Sequence, residues 1–119
     1  MRHSNNIRKF GRVKKVRDGL MKSLAYSLVM KGKIKTTDAK ARELRPMVEK
    51  LVTLAKKTGE KQVLSSRRLL TSRMGAEAAT KMLKDISPKM AGRSGGYTRI
   101  TKLPARSGDA SLMAVIEFV

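Results

Sequence analysis

No cysteine occurs among the 119 residues, so disulfides and thiolate metal sites are excluded. Tryptophan is absent too, and two tyrosines and two phenylalanines are the only aromatic residues. That is too few for the stacking platform of a protein that reads single-stranded bases. Histidine occurs once, as His3, with no His, Cys or carboxylate close to it in sequence, which argues against a local metal site. No apolar run approaches the ~20 residues needed to span a bilayer, and the start lacks the apolar core of a secretory signal. Acids are scarce as well, nine Asp and Glu against 28 Lys and Arg. These absences lead to the expectation of an intracellular protein, most simply a bacterial cytoplasmic one.

What is present is positive charge, a formal +19 on a chain long enough for one domain and one modest core. A compact body with that charge repels itself, and an anionic partner relieves the repulsion. Nucleic acid is the leading candidate, because each phosphate neutralised releases condensed counterions. The charge is densest from Met1 to Arg17, where no acid precedes Asp18. This stretch has no apolar face at helical spacing, which disfavours a membrane surface. Its few apolar groups do not offset the entropy of ordering it in water, so it is expected to be mobile alone and ordered against a polyanion.

After this extension, Asp18 can open a helix to about Met30, with Leu20, Leu24 and Leu28 at helical spacing and Gly32 as its left-handed cap. Lys33 to Thr36 is short and β-branched, and Thr37 can cap a second helix. That helix is the clearest element: Ala41, Leu44, Val48, Leu51, Val52 and Ala55 line one face, with Pro46 inside and Gly59 as the expected stop. A shorter helix from Glu60 to Leu70 carries Val63, Leu64, Leu69 and Leu70. Another from Gly75 to Ile86 is expected to stop at Ser87-Pro88. Lys89 to Gly96 reads as a loop, and Tyr97–Leu103 and Leu112–Val119 read as strands joined by a turn-rich segment. The pattern predicts an α+β fold. It is a compact single domain of about four helices on a small, two- to three-stranded mixed sheet, with residues 1–17 as a basic N-terminal extension and 18–119 as the body.

Groups for catalysis are few. Asp18 with Lys22, Asp38 with Arg42, and Glu77 with Lys81 are acid-before-base pairs that support helices, each acid near a helix start. No carboxylates form an acid/base couple. Arg93-Ser94-Gly95-Gly96-Tyr97 has the spacing of neither a Walker loop nor a dinucleotide fingerprint. Its glycines allow close approach to a phosphate and Tyr97 can stack, but an ordinary loop with Tyr97 in the core fits equally well. Arg106-Ser107-Gly108-Asp109 reads as a turn in which Asp109 accepts backbone bonds. Eight methionines at helical spacings read as core fillers.

Several segments taken together resemble one known family. They are Met1-Arg2-His3, Gly11-Arg12, Ile34-Lys35-Thr36-Thr37 before Ala39-Lys40-Ala41-Arg42-Glu43-Leu44, LVTLAK at Leu51–Lys56, GGYTRI at Gly95–Ile100, and RSGDA at Arg106–Ala110. In this order they are similar to bacterial large-subunit ribosomal protein seventeen, although that family commonly has a His-Arg pair where this chain has Val16-Arg17. The resemblance implies a structural, non-enzymatic protein of the large ribosomal subunit that binds 23S ribosomal RNA in the cytoplasm, with no cofactor or small-molecule substrate. It implies a place near the rim of the peptide exit tunnel, beside ribosomal proteins twenty-two and thirty-two.

The expected RNA contacts in the extension are Arg2, His3, Arg8, Lys9, Arg12, Lys14, Lys15 and Arg17. In the body they are Lys35, Arg67, Arg68, Arg93, Tyr97, Arg99, Lys102 and Arg106. The competing readings are an architectural DNA binder, disfavoured because no sustained heptad offers a dimer face, and an RNA-modifying enzyme, disfavoured by the missing catalytic groups.

Overall fold

The long helix predicted from Thr37 onward organises the protein. In a computed structural model that describes residues 3–61 and 64–119, this helix, α2, spans Asp38–Lys61. Its six predicted face residues, Ala41, Leu44, Val48, Leu51, Val52 and Ala55, are all buried. The Thr37 hydroxyl accepts from the Lys40 N–H at 3.4 Å, the expected N-cap. Asp38 binds Arg42 at 3.0 Å one turn on. Pro46 lies inside the helix without ending it, and the backbone stays helical past Gly59.

Preceding α2 are helix α1 (Lys14–Lys31) and strand β1 (Lys33–Thr37). Gly32 closes α1 in the left-handed region (φ 81°), its N–H bonded to Leu28 O. The helix begins at Lys14, before the predicted Asp18, and has no acid in its first turn and no side-chain cap. Its start is therefore electrostatically unfavourable, since Lys14, Lys15 and Arg17 crowd the positive end of the helix dipole. Burial anchors only the far half, through Ala25, Leu28 and Val29, while Val13 and Val16 remain 71% and 55% exposed.

Helix α3 (Leu64–Met74) follows. Of the apolar face predicted for it, Leu70 is buried together with Met74, whereas Leu64 and Leu69 are 59% and 43% exposed; Val63 lies outside the described residues. The last helical run, α4 (76–89), starts as Ala76–Lys81, passes through a π-helical turn Met82–Ile86, and ends in Ser87–Lys89. Ser87 and Pro88 thus do not stop it. The Ser87 N–H reaches back to Met82 O, and Pro88 enters at the start of a fresh helical turn, where no N–H is required. Glu77 and Lys81 do not pair with each other. Glu77 accepts from Tyr26 OH at 2.9 Å, and Lys81 Nζ donates to Met30 O at 2.7 Å in the last turn of α1.

Strands β2 (Thr98–Leu103) and β3 (Met113–Phe118) complete a three-stranded sheet in the order β1-β3-β2. The predicted third strand is therefore present. Both pairings are antiparallel, so the sheet is not mixed: β3 lies in the middle, following β2 through a hairpin and running against β1 on its other edge. Alternation sends Ile34, Thr36, Ala114, Ile116, Thr98 and Ile100 towards the helices. α2 touches all three strands. Glu49 ties it to β2, its Oε1 accepting from Thr98 N–H (3.2 Å) and Thr98 Oγ1 (3.0 Å).

Truncating α2 at Leu44, which is fully buried, should cost about 2–5 kcal/mol in urea unfolding. Leu69→Ala on the exposed side of α3 should change stability by under about 0.5 kcal/mol. Equal losses at the two sites would contradict this core assignment.

Candidate nucleic-acid interface

Five ion pairs join the described residues: Arg8–Glu43, Arg42–Asp38, Arg45–Glu49, Arg99–Glu117 and Arg106–Asp109. Most of the described Lys and Arg therefore meet no carboxylate, and the described surface keeps its charge. The cations fall into three neighbourhoods.

The first is the start of the chain. Arg2 lies outside the described residues, and His3 is exposed in a left-handed turn with Ser4 (φ 48° and 63°). Arg8 folds back onto α2, pairing with Glu43 at 3.5 Å and donating to Ala39 O at 3.4 Å. Lys9 O accepts from the Arg12 N–H, and the Arg12 guanidinium donates to Phe10 O at 2.7 Å, closing a tight turn. Lys14 and Lys15 stand exposed at the head of α1, and Arg17 reaches back to Arg12 O. Between this segment, α1, α2 and the end of α3 lies an open groove of about 560 Å³. Arg8, Lys14, Arg17, Lys22 and Arg73 line it, with Asp18 and Glu43 as its acids. Sequence reasoning missed Lys22 and Arg73 as members of this group, because their approach to the extension is set by tertiary packing.

The second is the outer face of the sheet. Lys33 and Lys35 project from β1 on the side opposite Ile34 and Thr36, and Arg99 shares that face across β3, where it pairs with Glu117 at 3.7 Å. The segment after β2 folds over the end of this face, so that Lys35, Arg106 and Met113 line one depression. Lys102 is exposed near the end of β2 but is not on this outer face: it alternates with Arg99 and pairs with Ala114, on the side of Ile100. Arg106 is not free: its guanidinium grips Asp109 through two bonds, 3.0 and 2.6 Å, and the Ser111 N–H adds a third at 3.1 Å. First the Arg106 bonds and then the Ser111 contact hold the Asp109 carboxyl well below the usual carboxylate range.

The third neighbourhood holds Arg67 and Arg68, exposed on α3 without lining the groove that Arg73 borders, and the loop after α4. Arg93 is exposed in that loop, and its carbonyl accepts from Lys56 Nζ. Tyr97 is only 2% exposed, with its hydroxyl 3.2 Å from Lys56 Nζ and its ring 5.1 Å from that ammonium. Its ring is thus unavailable to stack on a base, and of the two sequence readings the core one describes it. The Tyr26 phenol, in α1, is held above its ordinary pKa, first by its hydrogen bond to Glu77 and then by that carboxylate's charge.

A helix-backed antiparallel sheet and a described surface on which cations far outnumber ion pairs define the class, a small and strongly basic α+β protein with a surface suited to a polyanion. Among the described residues there is no cluster of three or more His, Cys, Asp or Glu able to hold a metal, and no helix long and apolar enough to cross a membrane. The family described as "Ribosomal protein L17" matches residues 20–119. The large ribosomal subunit protein bL17 of Persephonella marina is 50% identical over all of this chain and 95% of its own length. Those of Nautilia profundicola and a Hydrogenobaculum species are each 46% identical over the whole chain, covering 98% and 99% of their lengths. The chain belongs to the ribosomal protein L17 family. It is a structural component of the large ribosomal subunit in the cytoplasm, serving translation, and not an enzyme.

The Asp109 clasp has a defined pH dependence. A carboxyl depressed in the folded state stabilises the fold fully above its ordinary value of 3.8, and that contribution is lost as pH falls towards its lower folded value. In a carbon-detected NMR titration, Asp109 should titrate below its ordinary value of 3.8, and Arg106→Gln should move it back up. No movement in the variant would show that Arg106 is not the cause.

Proposed function

We propose that the chain holds 23S ribosomal RNA through its basic extension, residues 1–17, and through exposed cations of the body, acting as a structural clamp between RNA segments. The observation that carries this reading is the excess of unpaired cations on a small body, concentrated where the chain begins and where α1 opens with no acid in its first turn. Phosphates brought to Lys14, Lys15 and Arg17 relieve both the mutual repulsion of those side chains and their conflict with the helix dipole. Arg8 and Arg99 each sit beside a carboxylate at 3.5 and 3.7 Å, loose exposed pairs that exchange readily for phosphate. Lys35, Arg67, Arg68, Arg93 and Lys102 add contacts from the body. Arg106 contributes its remaining N–H groups beside Asp109, and Tyr97 contributes by shaping the loop that carries Arg93. Contacts of this kind recognise backbone and shape rather than sequence. Neighbouring ribosomal proteins twenty-two and thirty-two, near the exit tunnel, are the protein partners that the family resemblance implies.

Replacing Arg8, Lys9, Arg12, Lys14 and Lys15 together by Gln should weaken binding to large-subunit RNA. It should also flatten the plot of log K against log salt by about 0.7–0.9 for each phosphate no longer neutralised. The thermal transition of the free protein should be unchanged or raised, since none of these residues belongs to the core. An unaltered salt slope would refute the extension as the RNA-binding element.

A further inference from the structure

Phe10 is the one aromatic side chain that neither the core nor a hydrogen bond explains. Tyr97 is buried, Phe118 packs against the core, and Tyr26 donates to Glu77. Phe10 instead lies half-buried in the wall of the groove between the extension, α1, α2 and α3, outside the core cluster. Its backbone is held at φ 52°, a left-handed conformation that a residue with a Cβ avoids. Gly11 follows at φ 61°, and the Arg12 guanidinium locks the turn by donating to Phe10 O at 2.7 Å. Strain held in place around a half-buried apolar group that belongs to no core is a mark of ligand sites. Met21 and Met47, at the margin of the core, line the same groove, and its cations Arg8, Lys14, Arg17, Lys22 and Arg73 outnumber its acids Asp18 and Glu43.

An apolar wall with an aromatic ring beside cations matches one kind of occupant, a planar base carrying a phosphate. We propose that this groove takes a single unstacked nucleotide of the large-subunit RNA. Its base lies against Phe10 and the methionines, and its phosphate is held by Arg17, Lys22 and Arg73. The proposal rests on the RNA-binding reading above and adds a stacked contact that backbone charge does not supply. A volume of about 560 Å³ accommodates one nucleotide, and its open side lets the strand enter and leave.

The chain has no tryptophan, so Phe10→Trp in the full-length protein places a single indole reporter in the groove. Adding protein-free large-subunit ribosomal RNA from cells that make the protein should quench its emission in step with binding. Phe10→Ala should weaken binding to the same RNA by about five- to a hundredfold with the salt slope unchanged. Arg73→Gln should lower that slope by about one. Full-affinity binding by Phe10→Ala together with an unquenched indole would overturn the nucleotide pocket and leave the RNA-binding reading standing. Failure of the native protein to bind this RNA would overturn both.

Discussion

A formal charge of +19 spread over a body that measures 45 × 30 × 26 Å is the constraint to which the rest of the structure answers. Like charges at such spacing lie within one screening length of each other at low salt, so each cation raises the energy of its neighbours. Nine acids cannot neutralise them, and the five pairs that form among the described residues are mostly local or exposed. Exposed pairs contribute little to stability. Cohesion therefore falls to the apolar core.

That core is built around one helix. α2 contacts every strand and both α1 and α3, and none of its described buried residues is charged. Polar contacts at its margins are used to position rather than to cover: Glu49 fixes β2, Thr37 caps the entry from β1, and Lys56 ties the helix to the loop before β2. The cations are left on surfaces that the core does not need. The outer face of the sheet, the exposed side of α3 and the head of α1 are free to carry charge, because burial on the opposite side already holds each element.

The sequence is most legible where one face of an element is wholly buried. The α2 stripe and the β1 segment follow directly from periodicity and β-branching. Gly32 ends α1 as a left-handed cap should. Legibility fails where long-range contacts override local rules. Asp18 has the features of a helix start, yet burial of Ala25, Leu28 and Val29 supports a helix that continues back through Lys14. Pro88 has the features of a stop, but the π-helical turn before it lets the chain go on. Leu64 and Leu69 are apolar enough for a core, while the packing of α3 uses Leu70 and Met74. For the site, the Arg106–Asp109 clasp lies within a short turn and is nearly readable. The pairing of Arg8 with Glu43 and the groove joining Phe10, Lys22 and Arg73 depend on tertiary approach and leave no local signal.

In a member of the ribosomal protein L17 family, the RNA-binding function proposed above gives the charge a purpose: assembly with a polyanion would remove the electrostatic liability that the free protein carries. The direct measurement is the thermal midpoint of the full-length free protein in potassium chloride. It runs from about 10 mM, where the screening length is ~30 Å, to about 1 M, where it is ~3 Å. If self-repulsion is the dominant strain, the midpoint climbs as salt screens it, and large-subunit RNA added at low salt raises it further by binding the folded state. A midpoint that stays flat or falls with salt would mean that the cations are not in net conflict, and would contradict self-repulsion as the constraint that shapes this fold.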